Sequence, residues 1–191
     1  ILSREKPEVL ARGLPGQADF GARLITANVM GLNFTTLYCP NGKNLDHEDY
    51  KRKLDWYRAL SEHLSKEHDP ASATIVCGDF NICPTPLDGW MGEASEGEIF
   101  HTDAERTRLQ AVIDWGLHDL FRHKYPEERT FSWWDYRGGS FHRGHGLRID
   151  LILGTARVRE RMREIVIDRD FRKKHDGLTA SDHAPVILDI E

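Results

Sequence analysis

Cysteine is scarce in this sequence, and its scarcity excludes two common uses of the residue. The chain has three cysteines in 191 residues, Cys39, Cys77 and Cys83. An odd number with no paired CxxC spacing fits neither a disulfide framework nor a zinc site built from cysteine pairs. Free cysteine is among the residue types most often buried, so we predict three reduced thiols and a reducing, cytoplasmic compartment.

Long apolar runs are also lacking. No stretch approaches the length needed to span a bilayer, and the N-terminus has no basic-then-apolar secretory layout. We therefore expect a soluble protein, with residues 1–191 forming a single domain. The chain opens Ile1-Leu2-Ser3-Arg4 without an initiator Met, from which we expect that an upstream segment is missing.

An excess of basic residues, usual in proteins that bind nucleic acid, is absent from the whole chain. The formal net charge is −5, which at first counts against a phosphate backbone as partner. The distribution is less even than the total, because residues 157–174 hold eight Lys or Arg against four Asp or Glu. That local excess is typical either of a surface that follows phosphates or of a solvated helix face.

Strand and helix patterns alternate along the chain. Residues 22–29 and 32–38 predict two strands of a hairpin joined at Met30-Gly31, and residues 73–77 predict a buried strand that ends at a polar loop. Further strands are predicted at 147–153, 165–168 and 184–190, and helices at about 46–64, 105–115 and 118–123. Hairpins mixed with single strands between helices predict an α/β sandwich with mixed sheets.

Three polar clusters lie at the ends of predicted strands: Gly78-Asp79-Phe80-Asn81, Arg148-Ile149-Asp150 and Ser181-Asp182-His183. A single Asp in such a place is usually a turn former or a helix cap. Several carboxylates brought together in one fold repel each other unless a cation offsets their charge. Oxygen ligands without thiols favour a hard divalent ion, so we predict Mg²⁺ or Mn²⁺ rather than zinc.

A His-x-x-His pair, His142 and His145, lies on a glycine-rich loop. We do not assign zinc to it, because the loop is pliable and no further ligand pattern accompanies the pair.

Five motifs, in this order, resemble the exonuclease III family of the endonuclease/exonuclease/phosphatase superfamily: Tyr38-Cys39-Pro40-Asn41-Gly42, Gly78-Asp79-Phe80-Asn81-Ile82, Thr130-Phe131-Ser132-Trp133, Gly146-Leu147-Arg148-Ile149-Asp150 and Ser181-Asp182-His183-Ala184-Pro185-Val186. The resemblance implies a four-layered α/β sandwich of two mixed sheets flanked by helices, from which the N-terminal strands are missing. It also implies Mg²⁺-dependent hydrolysis of DNA.

The resemblance assigns roles residue by residue. Asp79 matches the carboxylate that activates water, and Asn81 the amide that orients the attacked phosphate. Asp182 matches the metal-associated carboxylate, with Asp79 and Asn81 as further oxygen ligands. His183 matches the imidazole that contacts the scissile phosphate, and Asp150 is expected to pair with it, which favours the imidazolium.

Two aromatic residues complete the expected site. Tyr38 matches a phenol that contacts the phosphate or the leaving oxygen. Trp133 matches an aromatic wall for a deoxyribose that lacks its base. Taken alone, either residue is more often strand-end packing or core.

Two expected partners have no counterpart in the chain. The family places an Asn and a metal-ligating Glu on strands ahead of the point where this sequence begins, and Glu5 and Glu8 align beyond those strands. We therefore expect an incomplete metal site, with weak metal binding and slow turnover or none in the chain as it stands.

The leading function is incision of double-stranded DNA at abasic sites and 3′-5′ removal of nucleotides or blocking groups, by a monomer that makes no membrane contact. One alternative is a phosphoesterase of the same superfamily that acts on a phospholipid or an inositol phosphate. Trp133 and the basic residues 157–174 favour DNA over lipid. The other alternative is a catalytically silent DNA-binding fragment.

Overall fold

The computed structural model describes residues 1–173 and 177–191. Eight strands are found there: β1 (Glu8–Arg12), β2 (Leu24–Val29), β3 (Leu32–Tyr38), β4 (Thr74–Asp79), β5 (Leu117–Asp119), β6 (Asp150–Thr155), β7 (Met162–Ile167) and β8 (Val186–Ile190). The α-helices in the same ranges are α1 (Glu48–Glu67), α2 (Asp103–Ile113), α3 (Leu120–Lys124), α4 (Ser140–Arg143) and α5 (Ala156–Arg161).

Strands β2 and β3 form the predicted hairpin. They pair antiparallel from Leu24 opposite Leu37 to Val29 opposite Leu32. The connecting residues Met30 and Gly31 both have positive φ, 52° and 81°. Two-residue turns of this kind match the twist of the strands they join. The hairpin prediction is therefore confirmed.

Six strands make the larger sheet, in the order β1-β2-β3-β4-β6-β5. Strands β3 and β4 run parallel, while the other neighbouring pairs run antiparallel. This confirms an α/β fold with a mixed sheet. The second sheet, expected to be mixed as well, is within the described ranges an antiparallel pair, β7 and β8.

The larger sheet has a hydrophobic core on each of its two faces, and alternate residues of its strands point into one or the other. Val76 packs with helix residues Trp56, Tyr57 and Leu60. Its neighbour Ile75 faces the other way, into a cluster shared with strands β7 and β8 and helices α3 and α5. Successive strand side chains point to opposite faces. Helices α1 and α2 therefore cover one face of the sheet, and the smaller sheet covers the other.

The basic stretch at 157–174 is partly engaged within the protein. Arg163 pairs with Glu191 at 2.7 Å, and Lys173 pairs with Asp170 at the same distance. Arg172 is buried, and Lys174 lies outside the described residues. These contacts engage part of the basic charge, while the side chains of Arg163 and Lys173 remain more than half exposed. Within 1–173 and 177–191, no helix combines the length and the apolar character needed to cross a membrane.

Candidate active site

The register of the larger sheet brings three predicted site residues to one edge. Tyr38, the last residue of β3, lies opposite Asp79, the last residue of β4. Asp79 in turn lies opposite Asp150, the first residue of β6. Neighbouring strands are separated by about 4.8 Å. Two carboxylates and a phenol, distant in sequence, therefore lie on adjacent strands.

The turn after β4 holds Asp79 and Asn81 as a unit. Gly78 has φ 135°, and a Cβ there would collide with the Leu37 carbonyl, so the strand passes its neighbour too closely for any other residue. Asn81 has φ 51°. Its backbone N–H donates to Asp79 Oδ1 at 2.8 Å, and its amide nitrogen donates to Asp79 Oδ2 at 3.1 Å. Both carboxylate oxygens are thereby oriented.

The Asn81 amide is itself tightly constrained. Only 3% of the residue is exposed, and its Nδ2 also donates to the Cys39 carbonyl at 2.9 Å. The side chain of Asn41 donates to Asn81 Oδ1 at 3.3 Å. Both amide N–H groups are thus occupied, so the phosphate contact expected of Asn81 requires exchange of one of these bonds.

A buried ion pair, which the sequence did not reveal, supports the same turn. Lys53 of α1 donates to the Asn81 carbonyl at 2.7 Å and forms a hydrogen-bonded ion pair with Glu105 of α2, and both side chains are 0% exposed. Burial lowers the pKa of Lys53, and the charge of Glu105 opposes that shift. Glu105 also accepts from Thr102 in a capping box. The Thr-x-x-Glu spacing was a signal that sequence reasoning could have used.

Short backbone bridges bring the C-terminal motif to the cleft. Trp133 bridges Leu147 on one side and His183 on the other. The indole Nε1 of Trp133 donates to Asp182 Oδ2 at 3.0 Å. The Ser132 hydroxyl accepts from the backbone N–H of Ile149 and of Asp150. Trp133 therefore fixes the orientation of Asp182 in addition to facing the cleft.

His183 and Asp150 form the expected pair, with 2.8 Å between Nδ1 and Oδ2. Burial alone would lower the pKa of His183. The hydrogen bond to Asp150 and the charges of Asp150 and Asp79 outweigh burial, so the pKa is raised. This leaves Nε2 as the ring nitrogen available to a ligand, on a ring biased toward its charged form.

The surroundings of Asp79 disfavour its charged form, whereas those of His183 favour the charged form. Burial, and second the charge of Asp150, raise the pKa of Asp79 to about 7. Protonation of a carboxyl in this range suits a group that takes a proton at neutral pH. A positive charge near Asp79 would stabilise its carboxylate and lower this pKa.

One cleft of about 420 Å³ brings most of these side chains together. Asp150 lies behind His183, outside the cleft lining. The predicted residues that line the cleft are Tyr38, Asp79, Asn81, Trp133, Asp182 and His183. A larger groove of about 660 Å³ shares Tyr38 with this cleft. Arg23 donates to the Tyr38 carbonyl at 3.1 Å and lies 4.8 Å from the Tyr38 ring.

The cleft offers oxygen donors to a cation. Asp79, Asn81 and Asp182, whose side chains carry carboxylate and amide oxygens, are among its lining residues, and no Cys is. In the part of the chain that the structure describes, no group of three His, Cys, Asp or Glu side chains converges as a metal cage. Mg²⁺ usually binds through one or two carboxylates and keeps several waters. The donors therefore fit a hard, largely hydrated divalent ion.

We predict that Asp150→Asn lowers two pKa values at once. His183 loses the anion that stabilises its imidazolium, and Asp79 loses the neighbour that disfavours its carboxylate. An NMR titration of the metal-free protein across neutral pH measures both, treated as one coupled system. Asp189→Asn, on the exposed edge of β8, serves as the control. An unchanged His183 midpoint in Asp150→Asn would contradict the coupling.

Comparison of the chain with known proteins identifies similar sequences and structures. A model of the endonuclease/exonuclease/phosphatase family matches residues 1–183. Exodeoxyribonuclease III of Haemophilus influenzae is 34% identical over 199 residues, which covers 97% of this chain and 73% of the relative.

Solved structures agree with this comparison. The 3′ phosphatase NExo from Neisseria, bound to a product DNA hairpin, superposes with a TM-score of 0.91 at 34% identity. An AP endonuclease from Archaeoglobus fulgidus superposes with a TM-score of 0.92 at 31% identity. Each alignment covers 99% of this chain and 73% of the other. On sequence and fold together, this chain belongs to the endonuclease/exonuclease/phosphatase family.

Proposed function

We propose that the chain carries the catalytic centre of a DNA-repair phosphodiesterase, which incises abasic sites and removes nucleotides or blocking groups from 3′ ends. One observation carries the proposal: the Asp150–His183 pair and the Asp79–Asn81 turn meet at one cleft. Exodeoxyribonuclease III and AP endonuclease relatives support DNA as the substrate.

The proposed chemistry is an attack by water on the scissile phosphorus, in which a new phosphorus–oxygen bond forms as the bond to the leaving sugar oxygen breaks. The leaving oxygen takes a proton from solvent. Asp79, whose pKa is raised to about 7 in the metal-free protein, takes the proton from the attacking water. The His183 imidazolium, held by Asp150, donates to a phosphate oxygen on which charge accumulates. Tyr38, half exposed at the cleft, contacts the phosphate or the leaving oxygen.

A divalent ion, Mg²⁺ or Mn²⁺, held by Asp182 and Asp79 with Asn81, would offset the phosphate charge and the repulsion among the carboxylates. Trp133 forms one wall of the cleft, where it faces a deoxyribose without a base. The preferred substrate is then double-stranded DNA with an abasic site or a blocked 3′ end. Three free cysteines, two of them buried, support a reducing, cytoplasmic setting, and we propose a monomer.

A panel of substrates tests the proposal. We expect slow Mg²⁺-dependent incision of an abasic duplex and slow trimming of a 3′-phosphate duplex, with no product in EDTA. A phospholipid and an inositol phosphate are expected to remain intact. Release of phosphate from either would favour the lipid-directed alternative. DNA binding in EDTA, without cleavage when Mg²⁺ is restored, would favour the silent DNA-binding alternative.

A further inference from the structure

An exposed aromatic stack lies outside the cleft. The rings of Trp90 and His145 are 3.7 Å apart between centroids and inclined by only 12°. Trp90 keeps 40% of its surface exposed. Neither residue lines the candidate active site, and neither has a role in the chemistry proposed above.

Hydrogen bonds fix the backbone at both residues of the stack. The N–H of Trp90 donates to the Gly146 carbonyl at 3.0 Å, and that of His145 donates to the Ser140 carbonyl at 2.9 Å. Arg129 donates to the Trp90 carbonyl at 2.6 Å. Because the backbone is fixed and the two rings already stack on each other, they lose little conformational entropy when a flat ligand stacks on them.

The stack is connected to the cleft by a short ladder. Gly89, next to Trp90, bridges Leu147; Leu147 bridges Trp133; and Trp133 bridges His183. Two such steps separate Gly89 from Trp133, which is about 10 Å at ordinary strand spacing. That distance corresponds to about three base steps along one DNA strand. The backbone that carries Trp90 therefore lies about 10 Å from that of Trp133 at the cleft, a separation that nucleotides flanking a bound phosphate can span.

We propose that the Trp90–His145 stack is a platform for a nucleobase that flanks the scissile phosphate on the strand that passes through the cleft. The inference rests on DNA being the substrate. Flat, partly exposed indole surface is suited to any base, because every base has a π-face. The site would then hold flanking DNA without reading its sequence.

Binding to two duplexes tests the platform. One abasic duplex extends well beyond the abasic site on both sides, and the other ends before a base can reach the stack. Fluorescence anisotropy in EDTA gives the dissociation constants without turnover. We expect Trp90→Ala to weaken binding of the long duplex about 5-fold or more, with little change for the short one. Trp90→Phe should retain most of the affinity.

The neighbouring Met91, also 40% exposed, provides the matched control, and Met91→Ala should bind as the unaltered chain does. Unchanged affinity in Trp90→Ala, an equal loss on both duplexes, or an equal loss in Met91→Ala would overturn the platform. The last result would favour a general apolar surface, as for a protein partner. Failure of the unaltered chain to bind either duplex would instead reject DNA as the substrate, and the platform with it.

Discussion

Asp79→Asn lowers the single-turnover rate of abasic-site incision by about 100- to 10,000-fold, the range expected when a positioned general base is removed. The amide preserves the shape of the side chain and still accepts one hydrogen bond from Asn81, but it cannot take a proton from water. Single-turnover conditions, with protein in excess over DNA, allow the loss to be measured even for a slow enzyme. Incision at the unaltered rate would reject the role of Asp79.

The same variant should be more stable than the unaltered chain at alkaline pH in EDTA. The pKa of Asp79 is raised from 3.8 to about 7 in the folded protein. A carboxyl of this kind holds its proton more tightly in the folded state, so its contribution to stability falls as pH rises through this interval. Asn carries no such penalty. In thermal unfolding, the gain in stability should appear above pH 7 and be absent below pH 3.8. A general effect of the substitution would appear at both pH values, and Asp189→Asn should show no gain at either.

Lys53→Met is expected to cause the largest loss of stability, about 3–5 kcal/mol in the free energy of unfolding, because it leaves the carboxylate of Glu105 buried without its partner. For a chain of this size the unfolding midpoint falls by about 6–20 °C. The Asn81 carbonyl also loses its donor, so incision should slow at temperatures where the variant remains folded. Thermal unfolding and the abasic-site assay measure the two effects.

Helix α1 offers a matched control for this prediction. Arg58 forms an ion pair with Glu62 at 2.8 Å, with both side chains about half exposed. Exposed pairs of this kind contribute less than about 1 kcal/mol, so Arg58→Met should change little. A second variant, Lys53→Met with Glu105→Leu, replaces the buried pair with apolar groups and should recover much of the stability. Loss of stability no greater than in Arg58→Met would contradict the importance of the buried pair.

Local patterns in the sequence were sufficient for the elements that govern the site. The hairpin, helix α1 and strand β4 have strong periodicity and clear turn residues at their ends. Strands β1 and β5 were not predicted. The residues of β1 are mostly exposed and β5 has only three residues, so neither has enough alternation to be recognised. Pairing with β2 and β6 defines them, and that pairing is a tertiary property.

The residue types of the site can be predicted from the sequence more readily than the contacts between them. Motif resemblance brings Asp79, Asp150 and His183 together as a hypothesis. The proximity of Asp79 and Asp150 follows from the strand order of the sheet, and that of His183 from its bridge to Trp133; periodicity determines neither. The sequence does not distinguish Lys53 from the other charged residues of α1, because a charged residue on an amphipathic helix is normally exposed. The bond between Trp133 and Asp182 depends on side-chain rotamers that only the folded chain defines.

The contacts that assemble the cleft have a consequence for the order of folding. Asp150 and His183 are 33 residues apart in sequence, Cys39 and Asn81 are 42 apart, and Trp133 and Asp182 are 49 apart. Contacts of such sequence separation form only after the entropy of closing long loops has been overcome. His183 is also the last of the site residues to leave the ribosome. A growing chain therefore brings the proposed catalytic residues together only after His183 has been synthesised, when all six strands of the larger sheet have already been made.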